Sequence, residues 1–469
     1  MKHTLLLLFV AFSQLLVAQT LQKKIAVAYS VLENDPQLKY GLSSLTVLNA
    51  ETGEVIFSKS GSVGLAPAST LKTVTSIAAF NILGKDYVWE TTLGYNGAVE
   101  NGTLKGDLIL TGGGDPTLGS DRYAQSKAEV LLTRWVTAIT QAGIKRVEGR
   151  VVVEDLLFGT QTIPQGWIWQ DIGNYYGAGA TSASWRENEF GVRFKAGAKV
   201  GEPTQLTSTQ PNISNVKILN EVSTGRPGSG DNVYAYSSPY SDIIYVRGTY
   251  GIDLNKTIML SIPDPASLLA EELKGKLTAA GVTVAGVATT TRKLSAEGKA
   301  IPAPSKILNT YSSPTLSQVI YWLNQKSLNL YAENILKTIA LKQGRKASFQ
   351  EGVEAVKLYL SKKTGVDEAS MSILDGSGLS PENRITTMTL ARILRSARNE
   401  PWYNSFYESL PSNNNMKMKS GSIRNALCYA GYEKSSAGIP LTFSIITNNY
   451  EGSTSAIKQK IFKVLDSLK

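Results

Sequence analysis

The sequence has very few of the residues on which most enzymes rely for acid–base chemistry. Its 469 residues include one histidine, His3, and one cysteine, Cys428. A lone cysteine cannot form an intramolecular disulfide, so the fold must depend on its own packed core. His3 lies in residues 1–18, a short basic and apolar stretch typical of a secretory signal peptide cleaved near Ala18. The processed chain would then contain no histidine, which excludes Ser-His-Asp and Cys-His catalysis and histidine-based metal sites. No pattern indicates a cofactor.

Acidic residues are also scarce relative to basic ones, 38 against 48, which gives a formal net charge of +10. This charge favours anionic surfaces such as cell-wall polymers. The lysines are spread along the chain without interleaved aromatics, so nucleic-acid binding is not indicated. No second long apolar run follows the signal stretch, and we expect a soluble periplasmic protein. Peripheral membrane contact stays open, but no segment indicates it.

The two ends of the chain resemble each other in composition, and the middle differs from both. Residues 19–86 predict a helix, a hairpin around a Glu-Thr-Gly turn and a second helix ending near Gly84. Residues 307–469 predict four long helices, two strands and a last helix. Residues 87–306 predict short strands with one helix at 264–281. We therefore expect a mixed α/β domain, formed by 19–86 and 307–469, that is split by a β-rich insertion of about two subdomains.

A serine and a lysine stand three residues apart in APASTLK, residues 66–72. At this spacing Ser69 and Lys72 share one face of a helix, and Pro67 favours a helix start nearby. Ser69 would lie in the first turn, where free backbone N–H groups stabilise negative charge. Lys72 could act as a base if burial or a nearby cation lowers its pKa. This pattern also occurs at 214–217 and 455–458, where we interpret it as an N-cap serine with a solvated lysine.

Two further motifs complete a constellation. Ser327 and Asn329 form S-x-N in KSLNLYAEN and lie between two predicted helices. K-S-G-S occurs at 59–62, where a turn is the simplest interpretation, and at 419–422, ahead of a predicted strand. Lys419 on an edge strand, followed by Ser420 and Gly421, could present a cation, a hydroxyl and bare backbone to an extended ligand.

The order S-x-x-K, S-x-N, K-S-G resembles that of penicillin-binding proteins and serine β-lactamases. Over nearly the whole mature chain, the sequence is most similar to the low-molecular-mass class C penicillin-binding proteins, the D-alanyl-D-alanine carboxypeptidase/endopeptidase family. The large insertion between the first two motifs also matches that family, as do GDLILTGGGDPTL (106–118), PQGWIWQDIGNYYGAGATSA (164–183) and DGSGLS (375–380). The chain has S-L-N where many relatives have S-D-N, and K-S-G in place of K-T-G.

The resemblance implies roles for the motif residues. Ser69 would be the acylating nucleophile and Lys72 its base. Ser327 would relay a proton to the leaving amine, and Asn329 would orient Lys72 and the substrate amide. The substrate would be a peptidoglycan stem peptide ending in D-Ala-D-Ala or a cross-link, and β-lactams would be covalent inhibitors. Lys419, Ser420 and Ser422 would bind the terminal carboxylate, and the N–H groups of Ser69 and Ser422 would form the oxyanion hole.

A less specific prediction concerns VVVEDLLFGT in the insertion, where Glu154 and Asp155 end a predicted strand beside Phe158. Relatives carry an acidic residue in a similar stretch, so one of these carboxylates, with Asp155 preferred, would bind the ammonium of a diaminopimelate side chain. A solvated acidic turn is the alternative. The alternatives for the whole protein are a serine β-lactamase, a non-catalytic wall-binding protein and an ordinary esterase.

Overall fold

The computed structural model describes residues 19–213 and 215–469. The strands in chain order are β1 Leu42–Asn49, β2 Val55–Lys59, β3 Gly64–Leu65, β4 Glu90–Tyr95, β5 Ala98–Glu100, β6 Thr103–Lys105, β7 Leu108–Thr111, β8 Arg146–Val147, β9 Val151–Glu154, β10 Glu189–Lys195, β11 Gln205–Gln210, β12 Lys217–Gly225, β13 Asp231–Tyr236, β14 Ile243–Gly251, β15 Ile258–Ser261, β16 Thr283–Val284, β17 Ala288–Thr290, β18 Lys306–Ser312, β19 Met371–Ser372, β20 Arg384–Thr386, β21 Ser412–Asn413, β22 Met416–Ile423, β23 Ala426–Lys434 and β24 Pro440–Asn448.

The helices in chain order are α1 (described over 19–33), α2 Leu71–Ile82, α3 Ala128–Gln141, α4 Trp169–Ile172, α5 Pro265–Ala279, α6 Thr291–Ala296, α7 Leu316–Lys326, α8 Asn329–Lys342, α9 Phe349–Thr364, α10 Thr387–Ala397, α11 Tyr403–Ser409 and α12 Thr454–Asp466. The chain forms two compact units. Of the described residues, the first comprises 19–85, Ile320–Leu328 and Gly352–Lys469, and the second comprises those within Asp86–Val319 and Asn329–Glu351. The domain boundaries expected from the sequence stay predictions, and the expected signal peptide lies outside the described residues.

The first unit is built on an antiparallel sheet of order β2-β1-β24-β23-β22-β21, so both ends of the sequence share one sheet. Alternation along β1 explains its two faces. Leu45 and Val47 pack in a cluster with apolar residues of α1 and α12. Ser44 and Thr46 point to the other face, where both hydroxyls hydrogen-bond to Thr387 Oγ1 of α10 at 2.6 and 2.9 Å. Helices therefore cover the sheet on both faces.

The second unit contains several smaller sheets. Its five-stranded sheet has the order β17-β9-β7-β4-β18 and combines parallel and antiparallel pairs. Its main core includes Trp135 of α3, Leu273 of α5 and Val153 of β9. Two three-stranded sheets, β11-β10-β15 and β12-β14-β13, lie in the same unit. The expected mixed α/β class with a β-rich insertion is confirmed. The expectation of a single helix in the insertion is wrong, because α3 is a second long helix there.

No helix in 19–213 or 215–469 is both long and apolar enough to cross a membrane.

Candidate active site

Lys72 lies in the first turn of α2, and Ser69 lies in the turn just before it, so the two side chains meet as their spacing predicts. Lys72 is fully buried in the first turn of α2, and its Nζ donates hydrogen bonds to Ser69 Oγ at 2.9 Å and to the Ser377 carbonyl at 2.8 Å. Ser69 itself is half-buried, so its hydroxyl can be reached. The pair therefore has the reach needed for proton transfer from hydroxyl to amine.

The sequence predicts that Ser69 lies in the first turn of the α-helix. In the structure it lies instead in a 3₁₀ turn, Ala68–Thr70, that precedes the helix. Ala68 adopts the left-handed region with φ 44°. Two glycines allow other segments to approach this turn closely. A Cβ on Gly378 would lie 1.9 Å from Ala68 O, and a Cβ on Gly421 would lie 2.7 Å from the Ser69 nitrogen. The DGSGLS and K-S-G-S segments can therefore pack directly against the turn because these two positions carry no side chain.

Lys419 lies on β22, with 2% of its surface exposed. Its Nζ donates to Ser327 Oγ at 3.0 Å and to the Ser420 carbonyl at 2.9 Å. Burial lowers the pKa of Lys419 to about 7, because removal from water disfavours the charged form. Ser327 occupies the turn between α7 and α8 in the left-handed region, with φ 58°. The structure therefore joins the second and third motifs through one hydrogen bond.

In the part of the chain that the structure describes, no strand pairs with β22 beyond Lys417 on the side away from β23. β21 pairs with β22 only at Met416 and Lys417, whereas β23 pairs along β22 from Lys417 to Ile423. Ser420 is half-buried and Ser422 is exposed. In the sequence, the simplest reason for a glycine at position 421 is close approach of a ligand. In the structure the space beside its Cα is occupied by the Ser69 turn, so the glycine is needed whether or not a ligand is bound.

Asn329 is the first residue of α8 and belongs to the second unit. It is 8% exposed, and its Nδ2 donates to the Tyr176 carbonyl at 2.7 Å. Tyr176 lies in the 164–183 stretch that resembles the family, but nothing in the sequence predicts that its carbonyl accepts a hydrogen bond from Asn329. The assigned role of Asn329 stays a prediction.

The two acidic residues after β9 have different surroundings. Asp155 is 4% exposed, and its Oδ1 accepts hydrogen bonds from Thr291 Oγ1 and the Arg292 nitrogen, both at 2.9 Å. The Asp155 carboxylate therefore already binds the start of α6. Glu154 is half-buried, accepts from the Leu156 nitrogen at 2.9 Å, and has a pKa raised mainly by desolvation. Binding of a substrate ammonium at this strand end stays a prediction for either residue, and Glu154 is the more exposed of the two.

The other copies of the motifs have simple surroundings where they are described. Lys59 forms a surface ion pair with Glu33 at 3.6 Å, and Ser60 begins a turn. Ser455 and Lys458 are both exposed on α12. Ser214, the first residue of the remaining S-x-x-K match, lies outside the described residues. Across the described ranges, no group of three or more His, Cys, Asp or Glu side chains could hold a metal ion.

Comparison with known proteins extends the resemblance. The model of the D-Ala-D-Ala carboxypeptidase 3 (S13) family matches residues 21–413. The D-alanyl-D-alanine carboxypeptidase of Actinomadura sp. (strain R39) is 26% identical over 455 residues, covering 90% of this chain and 80% of that protein. The D-alanyl-D-alanine carboxypeptidase DacB of Haemophilus influenzae is 24% identical over 427 residues, covering 86% of this chain and 84% of that protein.

Solved structures show the same fold. The crystal structure of penicillin binding protein 4 (dacB) from Haemophilus influenzae matches with a TM-score of 0.80 at 22% identity, covering 93% of this chain and 98% of that one. A second structure of that protein, complexed with a β-lactam, matches with a TM-score of 0.72 at 22% identity, covering 93% and 97%.

Proposed function

The chain belongs to the D-Ala-D-Ala carboxypeptidase 3 (S13) family, and from this premise we propose that it removes the terminal D-alanine of peptidoglycan stem peptides through a serine acyl-enzyme. It is a hydrolase of the serine peptidase type. The observation that carries the proposal is the 2.9 Å hydrogen bond between Lys72 Nζ and Ser69 Oγ. An amine at this distance can take the hydroxyl proton, so the reaction needs no histidine.

In the acylation step, Ser69 Oγ bonds to the carbonyl carbon of the penultimate residue while its proton passes to neutral Lys72. The C–N bond to the terminal D-alanine then breaks. Ser327 Oγ relays a proton, originally from Ser69, to the leaving nitrogen. D-Alanine departs, and the peptide remains as an ester of Ser69. A water molecule attacks this ester, and its hydrolysis releases the shortened peptide and restores the Ser69 hydroxyl.

Electrostatic groups on β22 would bind the charged parts of the substrate. Lys419 would bind the terminal carboxylate in its protonated form, together with the hydroxyls of Ser420 and Ser422. The backbone N–H groups of Ser69 and Ser422 would bind the developing oxyanion, each typically worth about 2.7–4 kcal/mol. The close packing of Gly421 against the Ser69 nitrogen supports this pairing, because it brings β22 beside the nucleophile.

The finer parts of the proposal rest on the resemblance. They are cleavage of cross-links that end in a free D-residue, slow release of β-lactams from Ser69, and export to the periplasm through residues 1–18. The β-lactam complex of the Haemophilus influenzae protein supports β-lactams as ligands of this fold.

The test is labelling with a fluorescent penicillin together with D-alanine release from a pentapeptide. Wild type should show both activities. Ser69→Ala should show neither and should unfold at the wild-type temperature, because the half-buried hydroxyl contributes little packing. Ser455→Ala, in the exposed S-x-x-K copy, is the matched control and should behave as wild type. Strong labelling of Ser69→Ala would show that another residue is the nucleophile.

Two alternatives give different results in the same assays. A β-lactamase would hydrolyse nitrocefin with rapid turnover instead of holding the acyl group. A non-catalytic wall-binding protein would neither be labelled nor release D-alanine. The contact of Lys72 with Ser69 and that of Lys419 with Ser327 speak against the second alternative, because a binding protein has no need for them.

A further inference from the structure

One face of the sheet β12-β14-β13, together with the adjoining helix α4, carries exposed aromatic side chains. Trp169 is 59% exposed, Tyr234 47% and Tyr245 37%, although residues of these types are usually covered. All three lie in the second unit. We call this set, with Tyr236 and the Arg247–Glu221 pair, the aromatic platform. Single exposed apolar residues need no explanation, but a contiguous group marks a binding surface.

Strand register places the platform on one side of the sheet. Tyr236 pairs with Tyr245 and Tyr234 pairs with Arg247 across the antiparallel β13 and β14. Directly paired residues point to the same face, and residues two apart on a strand do so as well. The intervening residues of the opposite face, including Val233, Ala235 and Val246, are buried in the core of the second unit.

Ring contacts hold the platform in a fixed arrangement. The guanidinium of Arg247 lies over the Tyr236 ring at 5.4 Å and the Tyr245 ring at 5.6 Å. Trp169 of α4 contacts Tyr236 edge-on, with ring centroids 5.1 Å apart. Aromatic side chains on paired strands are therefore already ordered before any ligand binds, which lowers the entropic cost of binding.

The charge of the platform restricts its ligand. Arg247 pairs with Glu221 at 2.6 Å, so the cation and the anion among its six residues cancel. The tyrosine hydroxyls, the indole N–H and this ion pair can donate and accept hydrogen bonds. The negative faces of the rings attract the weakly positive C–H groups of a sugar ring. Together these features suit an uncharged ligand that has hydroxyl groups and also a ring face covered with C–H groups.

We propose that the aromatic platform binds a pyranose chain, namely the glycan strand of the peptidoglycan whose peptides the active site cleaves. The choice of this glycan rests on the proposed function, whereas the sugar chemistry rests on the platform alone. Neighbouring strands lie about 4.8 Å apart, which is close to the length of one sugar unit. Successive rings can therefore contact successive sugars, and the enzyme would remain on a polymer while it cleaves stem peptides.

The experiment measures binding of the N-acetylglucosamine hexamer by titration calorimetry, and activity on a soluble pentapeptide and on intact sacculi. Wild type should bind the hexamer. Trp169→Ala and Tyr245→Ala should each bind at least tenfold more weakly and release less D-alanine from sacculi. Both should keep wild-type kcat/KM on the pentapeptide. Tyr40→Ala is the matched control, because Tyr40 is 71% exposed but lies in the first unit, and it should match wild type throughout.

Absence of hexamer binding by wild type, or equal binding by the platform variants, would overturn the proposal. A concentration-dependent dimer that only the platform variants dissolve would identify the face as a protein interface and would also overturn it. Failure of the proposed function would appear separately, as loss of D-alanine release from the pentapeptide by wild type.

Discussion

Replacement of Lys419 by arginine should change the pH dependence of catalysis more than its maximum. Burial lowers the pKa of Lys419 to about 7, so the free enzyme loses the charged form as pH rises through neutrality. Only the charged form can pair with the substrate carboxylate. From pH 7 to pH 9, the protonated fraction falls from about one half to about 1%, a roughly fifty-fold loss. Arginine stays charged over this range.

The assay is kcat/KM for D-alanine release between pH 6 and pH 9.5, expressed as the ratio of Lys419→Arg to wild type. Titration of groups that the substitution does not affect is the same in both proteins and cancels in the ratio. The larger guanidinium will lower absolute activity, but the ratio should rise roughly fifty-fold between pH 7 and pH 9. An ester substrate without the terminal carboxylate is the control, and its ratio should stay flat. A flat ratio on the peptide would refute the assignment of Lys419 as the carboxylate partner.

Three further predictions concern single side chains. Lys419→Met should abolish peptide cleavage and raise the free energy of unfolding at pH 7 by up to about 4 kcal/mol in chemical denaturation, because the lysine pKa is about 7 folded and 10.5 unfolded; a less stable variant would contradict this. The difference in the free energy of unfolding between Lys419→Met and wild type should shrink as the pH rises from 7 to 10.5, because over this range the unfolded wild-type chain loses the proton that it binds in excess of the folded chain. Gly421→Ala should lose at least a hundredfold in penicillin acylation, because its Cβ would displace the serine turn, whereas Gly275→Ala, with open space around it, should acylate normally. Glu154→Gln should lower kcat/KM only for peptides with a free side-chain ammonium, and Asp155→Asn should mainly lower the melting temperature; the reverse pattern would restore the preference for Asp155.

Local patterns were sufficient for the elements that carry the motifs. The periodicity of residues 425–434 and 440–449 predicted β23 and β24, and the three-residue spacing of Ser69 and Lys72 predicted their contact. These features depend on helix and strand geometry, which the sequence encodes locally. Helix α3 was missed because AEVLLTRWVTAITQ is rich in β-branched and aromatic residues that are common in strands. Burial of Leu131, Trp135 and Ile139 on one side stabilises it as a helix.

Features set by contacts between distant parts of the chain were not predictable. No local rule places an alanine in the left-handed region, yet Ala68 adopts it at a point where Gly378, 310 residues further along the chain, packs against its carbonyl. Asn329 donates to a carbonyl 153 residues away, at Tyr176. The pKa of Lys419 likewise depends on burial by several segments, although the sequence did suggest a cation at that position.

Glu154 and Asp155 illustrate the limit most directly. Both are acidic, they are adjacent, and both follow the same buried strand, so neither composition nor alternation separates them. The sequence favours Asp155 only because its shorter side chain is easier to hold in one geometry. The structure adds a consideration that the sequence does not show: the Thr291 hydroxyl and Arg292 nitrogen at the start of α6 need an acceptor, and Asp155 Oδ1 is that acceptor. A carboxylate that caps a helix from inside the fold loses those bonds if it turns to a ligand. Glu154 is more exposed and accepts from the Leu156 nitrogen of its own loop, not from α6, so we test it first for recognition of the substrate side chain.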